Sequence, residues 1–198
     1  MNKIFRYCLV GVISVLAAYV LIDQLAYPVL MKYHHLATAM SRFSYTKLFL
    51  EIYAAMSLFF LYVQLLRKKF SPIYLYLFYS VYLFLLFIVL FGKARNYHSL
   101  SLVPWDFLVW NRTTLTEAFL NVIYFIPLGV LFSFATKWWE FLVISFLVIL
   151  GIETIQYVFS IGTFAVSDIL LNLLGCCLGR LFFLFLPYWL EKKQKFVH

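Results

Sequence analysis

Six apolar runs, each long enough to cross a bilayer, dictate almost everything this chain can become. A span needs roughly 20 mostly apolar residues, and the sequence supplies such stretches at about residues 7–30, 45–66, 72–91, 114–134, 141–159 and 165–188. The third carries no charge at all between Ser71 and Phe91. Lipid offers a backbone amide no partner, so each run must close its own hydrogen bonds as a helix. The expected fold is an all-α integral membrane protein, a bundle of about six transmembrane helices. Only 12% of the residues are charged and 65% are hydrophobic, whereas a soluble domain carries about 25% charge. Six spans within 198 residues leave no room for a separate soluble domain. Three N-terminal spans are expected over 1–91, an interfacial loop plus three spans over 92–188, and a basic tail over 189–198.

The connections carry the local signals. Ser71-Pro72 reads as an N-cap with proline at the first helical position. Thr114 and Glu117 have capping-box spacing at the start of the fourth span. Residues 92–116, the longest connection, hold Trp105 and Trp110 in an amphipathic stretch suited to the headgroup layer. The link between the fifth and sixth spans is very short, which makes those helices antiparallel neighbours.

A formal charge of +8 does not make this a nucleic-acid partner, because its Lys and Arg residues sit beside apolar spans and not along a polar stripe. They read instead as topology signals. With both termini in the cytoplasm, nine Lys and Arg residues lie inside and six outside, with Arg180 within the last span left uncounted. The basic start at Lys3 and Arg6 runs into a stretch too long for a cleaved leader, so a retained signal anchor is expected. Cys8, Cys176 and Cys177 lie in apolar runs and form no disulfide framework. His34, His35 and His98 lack ligand spacing, so no metal site is expected, and nothing calls for a cofactor.

The acids carry the functional signal. An Asp at mid-membrane costs roughly 2.5–3.5 kcal/mol. Yet Asp23, Glu51, Glu117, Glu153 and Asp168 all fall toward one membrane face, with Asn121, Gln156 and Asn172 beside them. Glu153 and Gln156 are three apart on one helical face, and Asp168 and Asn172 are four apart on another. Together with Asn121 they predict a polar pocket shared by the last three spans, with Arg95 and His98 able to fold over it. Whether Asp23 and Glu51 join it is left open. Gly175 and Gly179 continue the Asp168–Asn172 face at a spacing that lets another backbone approach, or leaves a groove for a lipid chain.

Four ordered segments resemble the VanZ-like family: Ser99-Leu100-Ser101-Leu102-Val103-Pro104-Trp105, Asn121-Val122-Ile123-Tyr124-Phe125-Ile126-Pro127-Leu128-Gly129, Glu153-Thr154-Ile155-Gln156-Tyr157, and the stretch from Ile161 to Gly175 that contains Asp168 and Asn172. They span about residues 92–180. The family's recurrent polar positions fall on Arg95, Asn121, Glu153, Gln156, Asp168 and Asn172. Many members carry an Arg just after the Gly that follows the fifth span, where this chain has Thr163; without it the pocket is more acidic unless Arg95 substitutes. The resemblance implies a bacterial plasma-membrane protein associated with resistance to glycopeptide antibiotics, teicoplanin in particular. It supplies a phenotype and not a mechanism.

Two functions stay open on these residues. One is a binding protein of the outer leaflet, engaging membrane lipids, a lipid-linked cell-wall precursor or a lipoglycopeptide through Arg95, Asn121, Glu153, Gln156, Asp168 and Asn172. The other is a membrane enzyme acting on such a headgroup, with Glu153 or Asp168 as general base. A proton-relaying transporter fits less well, because Arg180 is the sole charge deep in the inner half. The oligomeric state is not legible.

Overall fold

The computed structural model describes residues 3–31, 34–67, 70–92, 97–108, 111–134 and 136–192. The chain falls into two compact units, Met1–Ala94 and Arg95–His198. Six helices among the described residues are long and apolar enough to cross a membrane, and the protein is a multi-pass membrane protein.

The first unit begins with α1 (Lys3–Val20), a π-helical turn (Leu21–Ala26) and α2 (Tyr27–Met31). Val20 and Tyr27 are both helical, so the three pieces form one unbroken rod. Pro28 explains the π turn: it has no N–H for the carbonyl four residues back, and the wider turn absorbs the misfit. A short α3 (His34–Arg42) follows, in a segment where no helix was expected. Then come α4 (Thr46–Arg67) and α5 (Pro72–Phe91). Ser71 has the extended backbone of an N-cap but makes no side-chain cap bond. Gln64 of α4 takes over, its Oε1 accepting the Ser71 N–H at 2.7 Å.

Asp23 and Glu51 meet a cation within this unit. Lys47 donates to Asp23 and lies 3.9 Å from Glu51, and Gln24 Nε2 donates to the other Asp23 oxygen at 2.8 Å. The Tyr19 and Tyr27 rings flank the same ammonium at 5.9 and 5.5 Å. Two acids in apolar helices are thus answered by one lysine, and α1 is tied to α4.

The second unit contains β1 (Tyr97–Ser101), a 3-10 turn (Asp106–Leu108), α6 (Arg112–Ser133), α7 (Trp138–Val158), β2 (Ile161–Ala165) and α8 (Val166–Lys192). Helix α6 starts at Arg112, so Thr114 lies inside its first turn and is not the expected cap. The link between α7 and α8 is longer than the apolar runs suggested. Phe159 and Ser160 make a turn, with Ser160 at φ 54°, and β2 fills the rest. Part of the supposed headgroup-layer loop is likewise ordered: β1 pairs parallel with β2, Tyr97 opposite Ile161 through Ser101 opposite Ala165. Neither five-residue strand could stand alone, but each satisfies the other's backbone at the ends of apolar helices.

Helix α8 packs most extensively on α6, not on its sequence neighbour α7. The two run parallel, since Asn121 meets Asp168 at one end and Thr136 meets Arg180 at the other. Glycines set the closeness. A Cβ at Gly175 would overlap the Val122 carbonyl, one at Gly179 the Ile126 carbonyl, and one at Gly129 the backbone of Cys176. The Gly175–Gly179 face is therefore occupied by α6, which rules out the alternative of a lipid-chain groove there. Around this seam Phe125, Phe141, Ile149 and Cys176 are wholly buried.

The end opposite the strands is held by a cation. Arg180 is buried, with Nη1 donating to Thr136 Oγ1 and Nη2 to the Thr136 carbonyl, both at 3.1 Å. Its guanidinium also lies 5.0 Å from the Trp138 ring centre and 4.8 Å from that of Phe141. Glu140 closes the first turn of α7 by accepting the Lys137 N–H at 2.8 Å.

Candidate functional site

At the strand end of the second unit, a cavity of about 300 Å³ opens between the 3-10 turn, α6, β2 and the start of α8. Three carboxylates line it: Asp106, Glu117 and Asp168. So do the hydroxyls of Ser101, Thr114, Thr163 and Ser167. Local structure places each. Asp168 lies in the first turn of α8, where a carboxylate also complements the helix dipole. Asn121, further along α6, donates from Nδ2 to Asp168 Oδ1 at 2.9 Å and fixes that carboxylate from one side. Ser101, the last residue of β1, donates to Asp106 Oδ2 at 2.8 Å and closes the loop between them.

Strand β2 divides the polar residues. Thr163 and Ala165 face the cavity, whereas Gly162, on the alternate face, packs against Gln156 of α7. Glu153, one turn earlier on α7, reaches the far end of the strand, where its Oε2 accepts the Ala165 N–H at a long 3.5 Å. Both side chains are nearly inaccessible, at 2% and 3% exposure for Glu153 and Gln156. Asn172 is equally buried one turn beyond Asp168, and its Oδ1 has no hydrogen-bond partner among the described residues.

Of the residues expected at the site, Asp168 lines the cavity and Asn121 is bonded to it. Glu153 and Gln156 support β2 from behind, and Asn172 sits in the layer beneath. Arg95 lies outside the described residues, as does the His98 side chain. Five polar lining groups, Ser101, Asp106, Thr114, Thr163 and Ser167, were not expected at the site. Ser101 and Asp106 belonged to a stretch read as headgroup-layer loop, and Thr163 entered only as the place of a missing Arg. The alternation Ser99-Leu100-Ser101 facing Thr163-Phe164-Ala165 is the signal that could have paired the strands.

A match to the VanZ/LLP1 family covers residues 73–187, more than half of the chain. The chain belongs to the VanZ/LLP1 family. The match takes in α5, so the family's extent begins one span earlier than the motifs around residues 92–180 indicated. No curated relative and no solved structure matches the chain.

Proposed function

We propose that this protein binds an amphiphile of the cell envelope in the cavity of its second unit, and that this binding underlies glycopeptide resistance of the kind the VanZ name denotes. One observation carries the reading. A cavity of about 300 Å³, with Asp168 on its wall and Asn121 locking that carboxylate, lies at the ends of apolar helices within the family-matching region. Such a volume is at the lower end of small-molecule pockets. It suits a headgroup whose acyl chains remain in lipid.

The nine-to-six Lys and Arg bias supports a reading with both termini in the cytoplasm, and in a bacterial plasma membrane the strand end then lies toward the exterior. The cavity then faces the leaflet that lipid-linked wall precursors and lipoglycopeptides share. Glu153, pressed against β2 and nearly sealed, is poorly placed to take a proton from a bound headgroup, which favours binding over catalysis by that residue.

The test is Asp168→Asn, which keeps the shape and can still meet Asn121 but removes the charge. Cells carrying it should lose teicoplanin resistance at wild-type protein levels. Unchanged resistance at equal expression would refute the reading.

A further inference from the structure

We infer that residues 100–108 dip into the leaflet at the strand end and that the cavity is filled sideways from it, by a lipid resident in the bilayer and not by an amphiphile arriving from water; this deepens the reading above and rests on it. The segment has two faces. Ser101, Asp106 and Phe107 line the cavity. Leu100, Leu102, Val103, Trp105 and Leu108 do not, and each is more than half exposed. Short contacts hold this division in place. The Ser101 hydroxyl donates to Asp106 across the base of the loop at 2.8 Å, and the Leu108 N–H donates to the Trp105 carbonyl at 3.1 Å. Residues 102–105 thereby form an apolar tip beside a polar cavity.

Position says what covers that tip. The 3-10 turn packs on α6, and the apolar spans of α6 and α8 begin at Thr114 and Val166. Glu117 and Leu171, which also line the cavity, lie further in, roughly 4–8 Å along the helix axes at about 1.5 Å per residue. The cavity therefore straddles the level where the spans meet the headgroups, and the loop lies beside it. An irregular backbone can go no deeper, because hydrocarbon offers its amides no partner. Leu, Val and Trp side chains gain by dipping that far. Helix α6 extends the same surface: Leu115 and Phe119 are exposed in the turns that give Glu117 and Ala118 to the cavity. A lipid against these residues reaches Ser101 and Asp106 by tilting its headgroup over the loop, and its chains never leave the bilayer. A cavity filled from water needs no such apolar rim.

The test uses the whole protein in liposomes of phosphatidylglycerol and phosphatidylethanolamine. Photoreactive benzoylphenylalanine replaces either Leu102 or Phe107, and its adducts are identified by mass spectrometry. The probe at Leu102 should capture acyl chains, and the probe at Phe107 should capture lipid within the cavity. Leu102→Asp with Val103→Asp should lower capture at Phe107 about tenfold, the scale of withdrawing one such side chain from an apolar phase. Both side chains are exposed, so the packing is kept and circular dichroism should be unchanged. The milder Leu102→Ser should lower capture less, and serves if the double variant does not accumulate. Glycerophosphoethanolamine, a headgroup without chains, should leave capture unchanged when added from water.

Adducts at Leu102 to a second copy or to another part of the chain, or none at all, would show that protein or water covers the loop and would overturn the inference. So would undiminished capture in the loop variants, or competition by the soluble headgroup. If Asp168→Asn still abolishes resistance in that event, the binding role stands with a ligand that comes from water. If lipid capture behaves as expected while Asp168→Asn leaves resistance intact, the lateral route stands and the cellular role falls.

Discussion

Adding one methyl group at Gly179 should weaken this protein, while the same change at Gly151 should not. Both are glycines within transmembrane helices, so replacement by Ala gains about 1 kcal/mol of helix propensity at either. At Gly151 and at Gly11 no atom outside the local backbone lies within 4 Å of the new Cβ. The gain there stands alone. At Gly129, Gly175 and Gly179 the Cβ would overlap backbone of the facing helix, which cannot swing aside as a side chain would. Helices α6 and α8 would have to separate by about 1 Å, and a gap of that size forfeits a quarter to a half of each dispersion contact along the seam.

Overpacking of this kind costs about 1–3 kcal/mol. After the propensity gain, each seam variant should be about 1 kcal/mol less stable than wild type, and each control slightly more stable. The gap is about 2 kcal/mol, or roughly 30-fold in the unfolding equilibrium. Unfolding in mixed micelles by added SDS, followed by circular dichroism, reads it directly. A Gly179→Ala protein as stable as Gly151→Ala would refute the close parallel crossing of α6 and α8. The Gly175→Ala, Gly179→Ala double variant should fall short of additivity, because one separation relieves both overlaps.

Other outcomes follow from the remaining polar contacts. Arg180→Leu should cost about 2 kcal/mol, the worth of hydrogen bonds made by a charged group, seen as a lower Tm in detergent; Arg180→Lys should recover only part, because an ammonium cannot span both Thr136 oxygens. Lys47→Met and Asp23→Asn should each destabilise the first unit, yet the double variant should lose less than their sum, since either change removes the same ion pair. Asp168→Asn should abolish teicoplanin resistance at unchanged expression.

Hydropathy made the spans legible because lipid imposes one solution on an apolar run. The third span was expected over 72–91 and is Pro72–Phe91, and the second, expected over 45–66, is Thr46–Arg67. The polar layer was legible for the same energetic reason, and Asn121 and Asp168 do meet. What the residues did not show was the side each group takes. That depends on β2 standing between α7 and the cavity, and a five-residue strand whose partner lies 64 positions away has no local signature. Lys47, sited near a span end, did not announce that it answers Asp23 across another helix. Nor did the 159–165 link reveal that it carries a strand, since a short apolar run beside a helix reads equally well as more helix.

The strand pair also fixes when the cavity can come into being. Strand β1 is made before α6, and its partner emerges only after α7 has crossed back. Until then Ser101 and Asp106 have no β2 beside them, and Asp168 has not been synthesised. A nascent chain halted after α7 would expose α6 with Asn121 unanswered and its glycine seam bare. Assembly of this unit therefore waits on its final span, and a ribosome-bound intermediate one helix short should be handled by the membrane's quality control as incomplete.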